Sequence, residues 1–269
     1  LTGSSSDAGL HVAVIVSRFL AALALSGCAL WPLAGHAQTD EIQIYDASIA
    51  ELGKVDFTLH SNFTPVGRTQ ADFPGGIVPD HSDNGAFEFG YGFRDWWELG
   101  LYLPVYTIRN DGNLEFDGFK LRSLWVTPDA RKREFFYGLN VELSYNMPQW
   151  DTSRTSLEFR PIIGWHEGKW DFIVNPILDS QFHGIGQTHF APGTRVAYNA
   201  SDRWAFAVET YSDLGEISNG DPWEQQFQTV YAVTDLTTSK DTSFEFGVGR
   251  GLTSGSDKWN LKFIFNQTL

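Results

Sequence analysis

Apolar and polar side chains alternate from about residue 54 to the last residue of this chain, in roughly a dozen segments. Tyr137, Leu139, Val141, Leu143 and Tyr145 are interleaved with Gly138, Asn140, Glu142 and Ser144. Successive side chains of a strand point to opposite faces, so each segment has an apolar face and a face of amides and charges. A water-soluble sheet turns its apolar face to a protein core. A transmembrane barrel turns that face to lipid and keeps the polar face inside.

Composition favours the barrel. The 269 residues include 10 Trp and 21 Phe, yet the mean hydropathy is −0.23. Beyond the N-terminal region there is no apolar run of the ~18 residues that a spanning helix requires. Dense aromatics without such a run suit strands that show alternate residues to lipid. The net charge of −14 and the lack of a basic stripe argue against a nucleic-acid partner.

The first 37 residues read as a signal peptide. Arg18 gives a positive start, Phe19 to Leu33 form an apolar stretch, and Gly35-His36-Ala37 offers small residues for cleavage after Ala37. Residues 1–12 are mostly polar and read as a mis-assigned extension. Cys28, the only cysteine, lies in Leu25-Ser26-Gly27-Cys28, a sequence that also fits a lipoprotein box. The apolar run continues past it through Leu33, which places Cys28 inside the signal core. Residues 38–269 then form the barrel, with neither disulfide nor thiolate chemistry available to it.

The alternation predicts strands over 54–63, 85–93, 96–107, 118–126, 135–146, 155–165, 169–178, 188–198, 203–212, 225–235, 242–250 and 258–269. Each is close to the ~9–11 residues needed to cross a bilayer at a tilt. Connections after the second, fourth, sixth, eighth and tenth strands are short, at Arg94-Asp95, around Pro128-Asp129-Ala130, and at Glu167-Gly168, Ala200-Ser201-Asp202 and Thr238-Ser239-Lys240. Others are long, notably 64–84 and 213–224. An even strand count with short periplasmic turns and longer external loops is the habit of bacterial outer-membrane barrels. The expected fold is therefore all-β: a transmembrane antiparallel up-and-down β-barrel of about 12 strands with both termini periplasmic.

Aromatic placement agrees. Trp97, Trp125, Tyr137, Trp165, Trp170, Tyr198 and Trp204 fall near the short-turn end on the outward parity, as a membrane-interface girdle requires. The last strand presents Trp259, Leu261, Phe263, Phe265, Gln267 and Leu269 on one face. It resembles the C-terminal signature read by the barrel-assembly machinery, with Leu where Phe is usual.

The opposite parity is expected to line the lumen. Its acids are Asp56, Glu88, Glu98, Glu142, Glu158, Asp171, Glu209 and Glu245; its bases are Lys54, Lys120, Arg122, Arg160, Arg195, Lys258 and Lys262. This near balance predicts ion pairs across the barrel and a narrow or partly occluded bore, because an unpaired charge away from water is costly. Arg122, Glu142, Arg160 and Arg195 are expected near mid-depth. The excess negative charge falls to the loops, with Asp72, Asp80 and Asp83 in the first, Asp111, Glu115 and Asp117 in the second, and Asp213, Glu216, Asp221 and Glu224 in the fifth. Such oxygens suit hard cations, including those that bridge lipopolysaccharide phosphates.

Signals for catalysis are weak. His60-Ser61 and His81-Ser82 are adjacent pairs whose side chains diverge on a strand. His183 and His189 lie where they can meet across the hairpin after the seventh strand, near Ser180. No HExxH, CxxC, phosphate-binding glycine loop or EF-hand pattern occurs. No catalytic residue, metal site or cofactor is assigned.

The hairpin Gly92-Phe93-Arg94-Asp95-Trp96-Trp97-Glu98-Leu99-Gly100-Leu101-Tyr102-Leu103-Pro104 resembles a segment of uncharacterised proteobacterial outer-membrane barrels. Many of these are described as transporters, including a group linked by name to the MetA pathway of phenol degradation. Glu41-Ile42-Gln43-Ile44-Tyr45-Asp46-Ala47 and Gly247-Val248-Gly249-Arg250-Gly251-Leu252-Thr253 are similar to others in that set. The resemblance implies a Gram-negative outer-membrane location, contact with lipid and lipopolysaccharide, and a transport role. It carries no catalytic residues. The expected function is a narrow passive channel for a small solute. The alternatives are a barrel enzyme acting on lipid or lipopolysaccharide and a structural surface barrel.

Overall fold

The computed structural model describes residues 41–269, so the signal peptide expected over 1–37, with Cys28, lies outside the described residues. Among the described residues, twelve long strands carry the fold. They are β1 (Val55–Val66), β2 (Asp83–Arg94), β3 (Trp97–Ile108), β4 (Leu114–Val126), β5 (Phe135–Asn146) and β6 (Thr155–Glu167). The second half comprises β7 (Trp170–Asn175), β8 (Gly193–Asn199), β9 (Trp204–Asp213), β10 (Phe227–Ser239), β11 (Thr242–Gly251) and β12 (Trp259–Thr268). Each pairs antiparallel with its sequence neighbours, and β12 returns to β1 from Asp56 opposite Thr268 to Val66 opposite Trp259. The sheet is closed. Closure leaves no long row of unpaired backbone groups, which is the condition for strands to cross hydrocarbon.

Alternation becomes inside and outside. Along β5, Phe136, Asn140, Glu142, Ser144 and Asn146 are buried, while Phe135, Tyr137, Leu139, Leu143 and Tyr145 face out. The same two-residue period recurs around the barrel, with Val196, Phe206, Val208, Phe246 and Leu261 exposed. The connections at one end are 95–96, 127–134, 168–169, 200–203 and 240–241; those at the other end include the longest, 67–82, 176–192 and 214–226. The barrel starts and finishes at the short-turn end, where Val55 lies beside Leu269.

Two expectations are corrected here. The loops are less acidic than they read, because strands extend further at the long-loop end: Asp83 belongs to β2, Glu115 and Asp117 to β4, and Asp213 to β9. Strand seven, expected over 169–178, ends at Asn175, and its partner starts at Gly193 rather than 188. Pro176 and Pro192 stand at those two positions, and proline cannot donate to a ladder. Beyond them a short piece, Leu178–Ser180, pairs with β6 and with His189–Phe190.

The interior is occupied. Residues 41–50 run inside the barrel without joining the sheet, and Ile42, Ile44, Tyr45, Ala47 and Ala50 are buried. Ile44, Tyr45 and Ala47 pack with Leu124, Val126, Ala130, Phe136, Ile162 and Ile173. Ile42 packs with Ala197, Ala207, Tyr231 and Val233. Nearer the long loops, Ile77 and Trp150 fold over Ala86, Tyr102 and Val105.

Candidate functional site: the occupied lumen

Long basic side chains need room on a crowded inner wall, and glycines directly opposite them provide it. Gly100 faces Arg122 across β3 and β4, and Gly247 faces Lys262 across β11 and β12. A Cβ on Gly100 would lie 2.4 Å from Arg122 Cγ, and one on Gly247 would lie 2.6 Å from Lys262 Cγ. The absent side chain lets each stem lie flat along the wall.

The charges form two networks. In the first, Arg122 Nε donates to Glu88 Oε1 at 2.7 Å while its Nη2 reaches both Glu88 and Glu98. His60 Nε2 lies 2.9 Å from Glu88 Oε2, and Lys120 Nζ lies 3.0 Å from Glu142. Arg160 holds Glu158 with two bonds, Nε to Oε1 at 2.8 Å and Nη2 to Oε2 at 3.0 Å. In the second, Arg195 is held between Glu209 and Asp235, with Glu245 at 3.5 Å. Lys262 pairs with Glu209 and Glu245 and lies against the rings of Tyr211 and Tyr231. Partners on more than one side offset part of the desolvation cost of such buried charges. Asp171 stands apart at the short-turn end, bonded to His166 and Asn199.

Residues 41–50 join both networks. Glu41 lies 3.4 Å from Arg160 and accepts from Tyr102 Oη at 3.1 Å, and Tyr45 Oη meets Tyr102 Oη at 2.7 Å. Arg160 also stacks on Tyr45, its Cζ 4.4 Å from the ring centroid. Where the segment nears the short-turn end, Asp46 lies 3.2 Å from Arg131 of the β4–β5 connection.

The segment divides the free space in two. A cavity of about 560 Å³ towards the short-turn end is lined by Gln43, Tyr45 and Asp46 of the segment, with Arg122, Arg195 and Asp235. A second, of about 210 Å³ towards the long loops, is lined by Ile42 with Lys120, Glu158, Asp179 and Asp213. Ile42 to Tyr45 form the partition between them.

The two remaining bases of the expected lumen set lie elsewhere. Lys258 is exposed in the 252–258 loop, and Lys54 pairs with Glu51 at 2.6 Å beside the short-turn rim. With Asp235 added to the wall and Asp56 lining the short-turn cavity, the near balance gives way to an excess of acid: Asp56, Glu88, Glu98, Glu142, Glu158, Glu209, Asp235 and Glu245 against Lys120, Arg122, Arg160, Arg195 and Lys262. On the outer face, Tyr137, Trp165, Trp170, Tyr198 and Trp204 are exposed. Trp97 and Trp125 are half-buried against one another's strands, Trp97 Nε1 donating to Ser123 Oγ at 2.8 Å.

No family model matches the sequence, and no curated protein matches it. Among solved structures, a KdgM porin aligns over 80% of this chain and 99% of its own with a TM-score of 0.50 and 9% identity. A NanC porin aligns over 79% and 97% with a TM-score of 0.50 and 8% identity. The fold is that of the twelve-stranded outer-membrane porins.

On this porin fold His189 is paired with acids rather than with Ser180. His189 is opposite Asp179 in the short loop ladder, and its Nδ1 lies 3.1 Å from both Asp213 oxygens. Ser180 Oγ accepts the Phe182 N–H. No group of three metal-ligating side chains occurs among the described residues.

The sequence reading missed residues 41–50 as part of the lumen, together with Tyr102, Asn175 and Asp235. One signal was available. Leu124, Phe136, Ile162, Ile173 and Val233 are apolar residues on the polar parity, and inward apolar residues need something to pack against.

Proposed function

We propose that this chain is an integral outer-membrane barrel that works as a narrow passive channel for a small solute, with both ends of the barrel on the periplasmic side. The observation that carries the reading is the lumen itself: paired charges around two cavities, inside a closed sheet whose outer face is apolar. A lipid-facing outer surface accounts for the exposed Leu, Val and Phe, and the exposed Trp and Tyr suit the interface. The excess of wall acids favours cations, since a lumen with one dominant sign concentrates the opposite charge. The likeness of the 92–104 hairpin to the phenol-pathway transporter group supports the same role. Within this reading residues 1–37 serve as the signal peptide, the barrel-assembly machinery delivers the chain, and lipid and lipopolysaccharide surround it.

Residues 41–50 make the closed state of such a channel. Planar-bilayer recording tests the proposal by comparing the intact chain with one from which the segment has been cut away after folding. We expect low conductance from the first and stable, cation-preferring steps from the second. Silence from both would overturn the channel reading.

A further inference from the structure

The way the wall holds residues 41–50 has a chemical pattern of its own: it grips the main chain. Lys262 Nζ donates to the Ile42 carbonyl at 3.2 Å, and Arg160 Nη1 donates to the Gln43 carbonyl at 3.2 Å. Asn175 uses both ends of its amide on one residue, Oδ1 accepting the Tyr45 N–H at 2.7 Å and Nδ2 donating to the Tyr45 carbonyl at 3.1 Å. Glu98 Oε2 accepts the Ala50 N–H at 2.5 Å. These four side chains stand on β3, β6, β7 and β12, around much of the barrel. Side chains are held as well: Ile42 packs among Ala197, Ala207, Tyr231 and Val233, Ile44 sits against Gly193, and Glu41 and Tyr45 meet Tyr102 and Arg160.

Three of the four gripping groups also have partners in the wall itself. Lys262 keeps Glu209 and Glu245, Arg160 keeps Glu158, and Glu98 keeps Arg122. If the segment left, no wall charge among these would be stranded, and water entering from the two cavities could meet Asn175. A part of the core cannot leave without orphaning its neighbours. A ligand site has to survive vacancy; here the wall charges keep partners, while Leu124, Phe136, Ile162 and Val233 would be left facing water until a new occupant covers them.

We propose that the lumen is a binding site for an extended peptide strand, occupied in cis by residues 41–50 and open in trans to short peptides with apolar side chains at alternate positions. As an account of the solute class it rests on the channel reading; as an account of binding it does not. Peptide amides supply the alternating donors and acceptors that Lys262, Arg160, Asn175 and Glu98 are placed to meet.

The test uses two forms of the barrel. In one, a protease recognition sequence is inserted after Leu52, which is 64% exposed where the segment leaves the lumen, and is cut after folding. The other lacks residues 41–50 from the start, so that one form reports if the other does not fold. A fluorescent synthetic peptide of residues 41–50 is titrated into each, and its block of single-channel current is recorded. We expect saturable binding and block. We also expect an unrelated peptide with the same apolar alternation to bind within about tenfold, and Asn175→Ala to weaken binding about tenfold, the effect of ~1.4 kcal/mol for its two main-chain bonds. Binding confined to the chain's own sequence would overturn the solute class, and no binding by either form would overturn the site. Current without peptide block would remove this inference and leave the channel standing. Peptide binding without current would do the reverse.

Discussion

Arg122 stands between Glu88 and Glu98, with its guanidinium over the Tyr45 ring. Replacing it by alanine leaves two buried carboxylates facing one another, and breaking a buried pair from one side costs about 3–5 kcal/mol. Urea unfolding of Arg122→Ala in lipid vesicles should show that loss. The triple change with Glu88→Gln and Glu98→Gln should recover part of it, because the penalty comes from charges left without a partner. A second residue-level effect lies outside the spanning strands. Burial, with Glu158 and Asp151 nearby, pushes the Asp179 carboxyl up to about 7, and a hydrogen bond to Asp213 raises the His189 imidazole above its usual value. Folded Asp179 holds a proton that the unfolded chain has lost, so its stabilising contribution is full below pH ~4 and fades as pH rises through about 7. For His189 the sign is the same: its contribution is full below pH ~6.5 and is lost above the raised value. Acidification from pH ~8 to ~5.5 thus neutralises Asp179 and favours the charged form of His189. Reversal potentials of the form cut after Leu52 should show cation preference falling over that interval, and Asp179→Asn should shrink the response.

At the scale of elements, the segment's exit is set by one backbone approach. Gly92 on β2 accepts the Gly53 N–H at 2.7 Å, and a Cβ there would lie 2.4 Å from the Ala50 carbonyl oxygen and 2.3 Å from that of Glu51. Gly92→Ala must push that backbone away, a strain of about 1–3 kcal/mol. Faster amide exchange at Tyr45 and Ala50, with exchange in β5 unchanged, is the expected outcome. That element also marks the boundary of what the sequence discloses. The strands were readable because a two-residue period is a local property, and β5 is recovered end to end from its alternation. Both departures in β7 and β8 trace to prolines already visible in the chain. Residues 41–50 were not readable as a lumen element, since Glu41-Ile42-Gln43-Ile44 alternates like any strand. What sets it apart is its partners, Arg160, Asn175 and Lys262, which lie 117 to 220 residues away from the atoms they hold. The pairing of wall charges was hidden for the same reason: parity gives a face, whereas only the closed register places Arg195 beside Asp235.

For the whole molecule, the decisive matter is which medium meets the outer face. Val208 lies at the middle of β9, between inward Ala207 and Glu209, and is 54% exposed. In water alone, an arginine there would be an ordinary surface change worth at most about 0.5 kcal/mol. In a bilayer the same side chain must enter hydrocarbon, at a cost of about 2–4 kcal/mol near the midplane that falls towards the interfaces. The depth dependence separates these cases better than any single value. Val208→Arg should lose about 2–4 kcal/mol of folding free energy in phospholipid vesicles, and the same change at Trp204, by the short-turn rim, should lose about 1 kcal/mol or less to charge. A flat profile along β9 would place the outer face in water. The lumen would then have no membrane to connect across, and its paired charges would stabilise a soluble barrel around residues 41–50.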